Sequence, residues 1–384
     1  MRRRCKEEVV VIGGGLAGAS AACMLADAGR SVLVIERDAA ARDKVCGEFL
    51  SIEAQTYLVH LGVDLDALGA SRISRLRLVR DRKLIEVGLP FVGRGLSRRV
   101  LDEALLQQAE GRGARIIRGQ AARSISADRT QIAIDMGQDG SMAADSVFLA
   151  TGKHDVRGVK RASLGSTNDL IGFKLQYRLA KRERQALDGA VEVALFRGGY
   201  AGLQMVEREI ANLCLVVSRQ RFEQVGKSWD SLLSSILDEC PHLSGRLQSA
   251  VPLLKRPLSI FQIPYGFLHR PVPDEPQGLF RLGDQMGVIP SFTGEGMSIA
   301  LHSGCLAASI FLEHGPAASI FHHRIGSDIR RSIRLASVLN HAVRHAAGQG
   351  AVFHLSRIWP AAMRHVTSLT RVQEASMNRV LFAS

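Results

Sequence analysis

The sequence lacks the features that mark several classes of protein. Its six cysteines are scattered without a C-x-x-C pair, which argues against a zinc site or a disulfide framework and fits a reducing compartment. Aromatic residues make up only 5% and do not alternate with basic residues, so the net charge of +13 does not indicate nucleic-acid binding. No uninterrupted apolar stretch approaches the ~20 residues needed to span a bilayer. We therefore expect a cytoplasmic protein whose positive charge serves an anionic cofactor, an acidic substrate or a membrane surface.

A βαβ pattern lies near the beginning of the chain. Four β-branched residues at 9–12 enter a glycine turn, small residues continue as a helix through Ala28, and residues 31–35 form a second apolar run. Units of this kind build parallel sheets flanked by helices. The pattern predicts an α/β domain at this end of the chain.

The glycine turn has the spacing of a dinucleotide site. Gly13 allows a tight bend, Gly15 lets the backbone approach a pyrophosphate, and Gly18 lets the helix pack against the strand. The phosphates would then lie at the N-terminus of the helix. Glu36 ends the second strand, where a carboxylate can accept hydrogen bonds from the hydroxyls of an adenosine ribose. The ordered combination predicts that this segment binds a dinucleotide.

The chain is long enough for more than one domain, since a single core rarely grows beyond ~250–300 residues. After about residue 168 the pattern changes to short strands, and four runs at 170–179, 190–196, 200–206 and 210–218 are predicted to form a meander. We predict a discontinuous first domain of residues 1–167 and 271–313, a β-rich substrate domain of residues 168–270, and a basic helical segment of residues 314–384.

The C-terminal segment has few acidic residues: after Phe321 only Asp328 and Glu374 are acidic. Four apolar residues with helical spacing give one apolar face to a basic helix. This face could pack across the two domains or lie on a membrane surface, and the sequence leaves both readings open. The residues of this face are Ile325, Ile329, Ile333 and Ala336.

Three stretches taken together resemble the FAD-binding pattern of the para-hydroxybenzoate hydroxylase superfamily, which includes single-component flavin monooxygenases, geranylgeranyl reductases and flavin-dependent halogenases. The resemblance covers about residues 8–310. It implies an FAD-binding Rossmann domain of the glutathione-reductase-like α/β fold, with an inserted β-rich substrate domain and a helical C-terminus. The stretches are the glycine motif with Glu36, Arg98-x-x-Leu101-Asp102, and Gly283-Asp284 followed by Pro290 and Gly294-Glu295-Gly296.

The resemblance also implies roles for single residues. Glu36 would bind the adenosine ribose, Arg98 would contact FAD, and Asp284 would bind the ribityl chain. The backbone from Gly294 to Met297 would hold the flavin ring at the start of a helix. The predicted FAD-binding residues are Gly13, Gly15, Leu16, Ala17, Gly18, Glu36, Arg37, Arg98, Gly152, Gly283, Asp284, Pro290, Gly294, Gly296 and Met297.

Several positions depart from the hydroxylase pattern. Where the hydroxylases carry an Asp-Gly motif, this chain has Thr151-Gly152, so the electron donor could be NAD(P)H or a separate reductase. The loop Lys44-x-Cys46-Gly47-Glu48 is more similar to that of the geranylgeranyl reductases. Both tryptophans of the halogenase motif are missing from residues 259–264, which disfavours halogenation.

The sequence has no Ser-His-Asp, metal-binding or paired-carboxylate signature, so the cofactor is expected to carry the chemistry. The first hypothesis is a monooxygenase that uses O2 to hydroxylate an aromatic or polyketide-like small molecule through a flavin C4a-hydroperoxide. The second is a flavin reductase of an isoprenoid or lipid double bond. The third is a flavoprotein without turnover. The oligomeric state is left open.

Cys46 and Glu48 are the two candidate catalytic residues. Cys46 could be a proton donor, a redox thiol or a covalent anchor, or a small residue packed under the loop. Glu48 could be the proton-donating acid, an exposed loop carboxylate or the partner of an arginine.

Overall fold

A computed structural model describes residues 6–127, 131–161, 169–272, 275–359 and 369–381. The strands and helices, numbered in chain order, are the following. The strands are β1 (Lys6–Ile12), β2 (Val32–Glu36), β3 (Phe49–Leu50), β4 (Ser71–Arg80), β5 (Lys83–Gly95), β6 (Arg115–Arg118), β7 (Ser124–Ala127), β8 (Ile132–Asp135), β9 (Ser141–Leu149), β10 (Leu170–Arg178), β11 (Gly189–Phe196), β12 (Gly199–Met205), β13 (Ala211–Ser218), β14 (Val251–Pro252), β15 (Leu258–Phe261) and β16 (Leu279–Arg281). The helices are α1 (Leu16–Asp27), α2 (Ile52–His60), α3 (Arg98–Gly111), α4 (Lys181–Leu187), α5 (Arg219–Gln224), α6 (Trp229–Glu239), α7 (Pro241–Leu247), α8 (Gly296–His314), α9 (Ala318–Arg344), α10 (Ala346–Ile358) and α11 (Glu374–Leu381).

The first sheet has the order β6-β2-β1-β9-β8-β7, with β16 alongside β9. The strands β6, β2, β1, β9 and β16 are parallel, while β8 and β7 pair in antiparallel fashion. Val9, Val10 and Val11 of β1 are fully buried because helices and further strands cover both faces of the parallel part. The predicted α/β Rossmann fold is confirmed.

The second sheet has the order β14-β10-β13-β12-β11-β4-β5-β3, with β15 on the same edge of β10 as β14. The predicted strands are present, but the predicted four-strand meander is wrong in one place: β10 pairs with β13 and not with β11. The edge of β11 is occupied by β4, which runs parallel to it. Helix α4 therefore joins two strands that are not neighbours in the sheet.

Strands β4 and β5, which the predicted boundaries assign to the first domain, pair within this second sheet. The predicted boundary after residue 167 lies outside the described residues. The division of the chain into domains stays a prediction.

The C-terminal helices pack against both sheets: α9 contacts α8, β16 of the first sheet and β12 of the second, and α10 contacts α9 and β5 of the second sheet. The predicted apolar face of α9 is core, since Ile325, Ile329, Ile333 and Ala336 are all at most 3% exposed. Of the two readings of this face, packing is confirmed. Within the described ranges, α8 is the one helix long and apolar enough to cross a membrane, but 72% of its apolar window is buried, as is typical of a core helix.

A buried ionic cluster lies where α9 meets β16. Glu275 accepts a hydrogen bond from Arg281 Nε at 2.6 Å and lies 2.8 Å from His269 Nε2. His322 Nε2 accepts the backbone N–H of Arg281 at 3.1 Å, so its proton is on Nδ1, the nitrogen that faces Glu275. The ligand atoms of the two histidines and Glu275 are within 4.8 Å of one another, but a protonated Nδ1 cannot bind a metal ion. We interpret the cluster as structural.

This cluster predicts an acid-sensitive fold. Burial lowers the pKa of His322 to about 3, and hydrogen bonds from His269 and Arg281 outweigh burial and lower the pKa of Glu275 to about 2. Both values lie below those of the unfolded chain, so the unfolded state binds more protons and stability is lost as pH falls from the ordinary histidine pKa through these values. We expect the free energy of unfolding to fall by about 1.4 kcal/mol per pH unit from His322 alone below pH ~6.

His322→Gln should make this slope shallower by about that amount, measured by urea unfolding at several pH values below ~6.5. His323→Gln is the matched control, because His323 is exposed on the same helix. Equal slopes for the two variants would contradict the assignment.

Candidate FAD site and substrate cavity

The glycine turn leaves the N-terminus of α1 bare. Gly15 is the N-cap residue, and no described side chain caps the helix. Gly13 has φ of +106°, and a Cβ there would lie 2.5 Å from the carbonyl oxygen of Ala150. A Cβ on Gly18 would lie 2.0 Å from the carbonyl oxygen of Gly13. The turn therefore requires glycine at both positions, and the free N–H groups of α1 are available to an anion.

Glu36 lies beside this turn. Its Oε2 accepts the N–H of Gly14 at 2.6 Å and its Oε1 accepts the N–H of Asp38 at 3.0 Å. The two bonds fix the carboxylate at the cavity surface, where its remaining lone pairs can accept ribose hydroxyls. The adjacent Arg37 also lines the cavity and lies 3.0 Å from His154 Nε2.

Two cations face the glycine turn. A Cβ on Gly15 would lie 3.6 Å from Arg98 Nη2 and 3.7 Å from Lys44 Nζ. Asp102 holds both cations: Arg98 Nε donates to its Oδ1 and Lys44 Nζ donates to its Oδ2, each at 2.6 Å. Two positive charges and one negative charge leave a net positive field at the place where a pyrophosphate would lie. Lys44 was not among the predicted FAD-binding residues, although it begins the predicted Lys44-x-Cys46-Gly47-Glu48 loop.

The third predicted stretch lines the same cavity, and a Cβ on Gly283 would lie 3.2 Å from Ala17 of α1. The Asp284 carboxylate is 3.5 Å from Lys153 Nζ, and the N–H of Gly283 donates to Ser303 Oγ at 2.8 Å. Gly294 adopts φ of +74° and is followed by the start of α8 at Gly296. The cavity brings together the predicted residues Gly13, Gly15, Leu16, Ala17, Glu36, Arg37, Arg98, Gly152, Gly283, Asp284, Gly294, Gly296 and Met297. Gly18 instead packs within the turn, and Pro290 precedes the loop that lines the cavity.

These residues fit FAD. A bare helix N-terminus and two cations suit the pyrophosphate, and a carboxylate at the end of β2 suits the ribose. Gly152 has φ of +61°, and no described atom lies within 4 Å of where its Cβ would be, so a ligand can approach the backbone closely there. Each of these features therefore suits a part of the FAD molecule.

Lys44→Met is expected to weaken FAD binding about tenfold, because a charge-assisted contact to a phosphate contributes on the order of 1.5 kcal/mol. The measurement is titration of the apoprotein with FAD followed by flavin fluorescence. Lys160→Met removes an equal charge from an exposed position and should leave the dissociation constant unchanged. An equal weakening by both variants would show that only net charge matters.

The loop that carries Cys46 and Glu48 is anchored to the second sheet. Gln204 Nε2 donates to the carbonyl oxygen of Glu48 at 2.8 Å, and Asn212 Nδ2 donates to the carbonyl oxygen of Cys46 at 3.1 Å. The Glu48 carboxylate is fully buried, and it accepts hydrogen bonds from the buried Lys174 and from the N–H of Arg98. Burial raises the pKa of Glu48 to about 7 against the opposing effect of Lys174. Two of the predicted readings of Glu48 are therefore wrong: its carboxylate is buried, and no arginine side chain among the described residues is paired with it.

Cys46 is half-buried and lines the cavity together with Cys214 of β13. Burial raises the pKa of Cys214 to about 12, which makes it a poor proton donor. Cys46 Sγ accepts the N–H of Glu48 at 3.4 Å. Of the two candidate catalytic residues, Cys46 is partly exposed to the cavity, whereas Glu48 is fully buried and its carboxylate holds the loop in place.

A cluster of three hydroxyl groups lines the cavity at the loop that precedes α8. Tyr200 and Tyr265 each place their phenol oxygen 2.6 Å from Ser291 Oγ. Burial raises the pKa of both tyrosines, so they are neutral and can donate hydrogen bonds at physiological pH. The three residues come from β12, from the loop after β15 and from the loop before α8, and nothing in the sequence relates them to one another.

The part of the cavity wall that is formed by β4, β11 and Val216 of β13 is aliphatic. The cavity has a volume of about 1020 Å³ and is lined by side chains of the second sheet that alternate along their strands. Helices α9 and α10 close its outer end with Leu339, Val352 and Leu355. The residues of the aliphatic wall are Leu76 and Leu78 of β4, Val191 and Val193 of β11, and Val216 of β13.

Comparisons with known proteins agree with this site. Residues 8–46 match the family model described as FAD dependent oxidoreductase. The chain is 31% identical over 160 residues to menaquinone reductase of Mycobacterium tuberculosis, which spans 40% of this chain and 39% of that protein. It is 28% identical over 318 residues to digeranylgeranylglycerophospholipid reductase 2 of Methanopyrus kandleri, covering 80% of this chain and 77% of that protein.

Among solved structures, a flavin-dependent brominase has a TM-score of 0.79 at 17% identity, covering 95% of this chain and 93% of the brominase. At this identity the likeness concerns the fold alone. The predicted resemblance to FAD-dependent oxidoreductases is confirmed by the family model, the relatives and the fold together.

Proposed function

We propose that this protein, a chain with the FAD-binding motif and the two-sheet fold of the FAD-dependent oxidoreductases, reduces a carbon–carbon double bond of a polyprenyl lipid. The aliphatic wall is the observation that supports this most directly. Two relatives whose names denote reduction of menaquinone and of a digeranylgeranyl lipid support it as well, although the first match spans only about two fifths of either chain.

The aliphatic wall favours a hydrocarbon substrate. A polyprenyl chain gains free energy from removal of apolar surface from water and needs no hydrogen-bond partners, which matches the valine and leucine side chains of β4 and β11. A polyketide-like substrate with several oxygens would leave polar groups unpaired against such a wall. The cavity of about 1020 Å³ is lined by the FAD-binding residues as well as by the aliphatic wall, so a substrate shares this volume with the cofactor.

Reduction adds a hydride and a proton across the double bond. Bound FAD supplies the hydride when it is reduced. The protein must hold the alkene against the FAD-binding residues, exclude water and provide the proton. Cys46 is the group that we assign to the proton: it lies in the cavity, on a loop fixed by Gln204, Asn212 and the Glu48–Lys174 pair.

Cys46→Ser is expected to lower turnover about 100-fold at unchanged FAD occupancy, because a serine hydroxyl is a far weaker acid than a thiol. Cys214→Ser is the matched control in the same cavity, and it should change turnover by less than about threefold, since burial raises the pKa of this thiol to about 12 and makes it a poor proton donor. Turnover of Cys46→Ser at the rate of the control would remove the assignment.

We propose that the physiological electron donor is NAD(P)H or a separate reductase. The test of the function needs neither, because a chemical reductant takes the place of the donor. The purified holoprotein is reduced anaerobically with dithionite and mixed with geranylgeraniol in detergent, and the products are analysed by mass spectrometry. We expect a product with two more hydrogen atoms. A substrate that is unchanged without oxygen, but gains one oxygen atom when O2 is admitted, would overturn reduction.

Hydroxylation of an aromatic small molecule with O2 is the second candidate. The hydroxyl cluster of Tyr200, Ser291 and Tyr265 favours it, because three hydroxyls beside the loop that would hold the flavin ring can bind a ring oxygen of a phenolic substrate. In the same experiment this candidate gives the oxygen-containing product.

A further inference from the structure

The outward faces of α9 and α10 combine positive charge with exposed apolar residues. Residues 318–359 contain six arginines and one acid, Asp328. The carboxylate of Asp328 is 7% exposed and is bound by His302, Ser376 and Arg379, so it contributes little negative charge to the surface. The exposed charge of the two helices is therefore almost entirely positive.

The exposed face of α9 is basic around one apolar residue. Helical spacing of seven, three, four and three residues aligns Arg324, Arg331, Arg334, Val338 and His341, and all of them are exposed. Val338 is 67% exposed at the centre of this face.

The exposed face of α10 is apolar. Spacing of four, four and three residues aligns Ala347, Ala351, Leu355 and Ile358, all exposed, while the opposite face with Gln349 and Phe353 is buried. Trp359 follows directly and is 61% exposed, and Ile358 is 67% exposed. An apolar stripe that faces outward from a folded helix costs free energy in water unless another surface covers it.

We infer that these two faces form a docking surface for an anionic lipid bilayer. An apolar stripe with a terminal tryptophan, beside a basic helix face, has the composition of a helix pair that lies in the interface plane of a membrane. Arginines near an anionic bilayer add electrostatic attraction, which an apolar protein partner would not provide. The charge of the surface thus selects an anionic membrane as its partner.

The docking surface is continuous with the cavity. Leu355 is 52% exposed and also lines the cavity, together with Leu339 and Val352 of the same two helices. A lipid-soluble substrate could pass from the bilayer to the aliphatic wall without crossing water, a consequence that rests on the proposed function. The proposal that the surface docks on a membrane does not rest on the proposed function, because membrane binding is measured without turnover.

The test is sedimentation of the full-length holoprotein with large unilamellar vesicles. We expect binding to vesicles of phosphatidylcholine with phosphatidylglycerol, weaker binding to phosphatidylcholine alone, and release as salt rises. The double variant Leu355→Gln with Ile358→Gln should bind at least tenfold less, and so should Arg331→Gln with Arg334→Gln.

Two controls match these variants. Val59→Gln changes a 70% exposed apolar residue of α2, and Lys181→Gln with Arg182→Gln removes two exposed charges of α4; both should bind like the unaltered protein. Retained flavin absorbance shows that each variant is folded. Tryptophan fluorescence gives a second test. The emission of Trp359 should shift to shorter wavelength when the protein binds vesicles. The variant Trp359→Phe, which leaves Trp229 in place, should abolish this shift.

Failure of the protein to sediment with anionic vesicles would overturn the proposal, as would full binding by both double variants. Light scattering tests the alternative that a second copy of the chain covers this apolar face. If the Leu355 and Ile358 variant turned a dimer into a monomer and no vesicles were bound, the surface would be an interface between two copies of the chain.

Discussion

Gly18→Ala is expected to give a colourless protein. The new Cβ would lie 2.0 Å from the carbonyl oxygen of Gly13 and 2.9 Å from Val11 Cγ1, and the first of these atoms belongs to the backbone of the turn itself. Relief requires α1 to move away from β1, which opens the site where the pyrophosphate would bind. We expect the affinity for FAD to fall by about 100-fold or more and the free energy of unfolding to fall by about 3 kcal/mol.

The measurement is the ratio of flavin to protein absorbance after purification, followed by titration with FAD. Gly111→Ala serves as the control, because no described atom lies within 4 Å of a Cβ at Gly111 and its φ is not in the left-handed range. That variant should bind FAD normally and be slightly more stable, since alanine favours helix. A yellow Gly18→Ala protein would mean that helix and strand can separate without loss of the site.

Lys174→Met is expected to have the largest effect on stability of any change outside the FAD site. Lys174 is 1% exposed, and its ammonium group holds the fully buried Glu48 together with Asp43, to which it donates at 3.0 Å. Removal of one partner of a buried ion pair leaves the other charge without compensation, at a cost of about 3–5 kcal/mol. Because Glu48 anchors the loop of Cys46 through the N–H of Arg98, activity should fall as well.

Urea unfolding measures the loss, and a second substitution separates charge from packing. In the double variant Lys174→Met with Glu48→Gln no buried charge is left unpaired, so at least half of the lost free energy should return. Lys227→Met, at a 67% exposed lysine, should change stability by less than about 0.5 kcal/mol. Equal losses in the single and double variants would mean that the site depends on the shape of the lysine and not on its charge.

The cofactor site was predicted from the sequence in far more detail than the substrate site, and the reason is physical. The glycine turn, α1, β2 and Glu36 follow one another within 24 residues, so their geometry is set by local backbone preferences that a pattern of residue types reveals. Helix α9 was predicted in the same way, because a stripe of isoleucines needs only the period of the helix.

Features that depend on distant pairing were missed. The place of β10 beside β13, the contribution of β4 to the second sheet, and the contact of Lys174 with Glu48 across 126 positions of sequence have no local signal. The hydroxyl cluster of Tyr200, Ser291 and Tyr265 is of the same kind, since each residue belongs to a different element.

The sequence by itself thus determined the Rossmann βαβ unit, the residues that suit FAD, and the periods of the helices and strands, because these depend on neighbours along the chain. Only the tertiary structure decided which face of α9 is buried, which outward face of α10 is left apolar, and how the second sheet places an aliphatic wall in the same cavity as the FAD-binding residues. Those outcomes depend on which elements pack together, and burial is a property of the packed surface and not of any one segment.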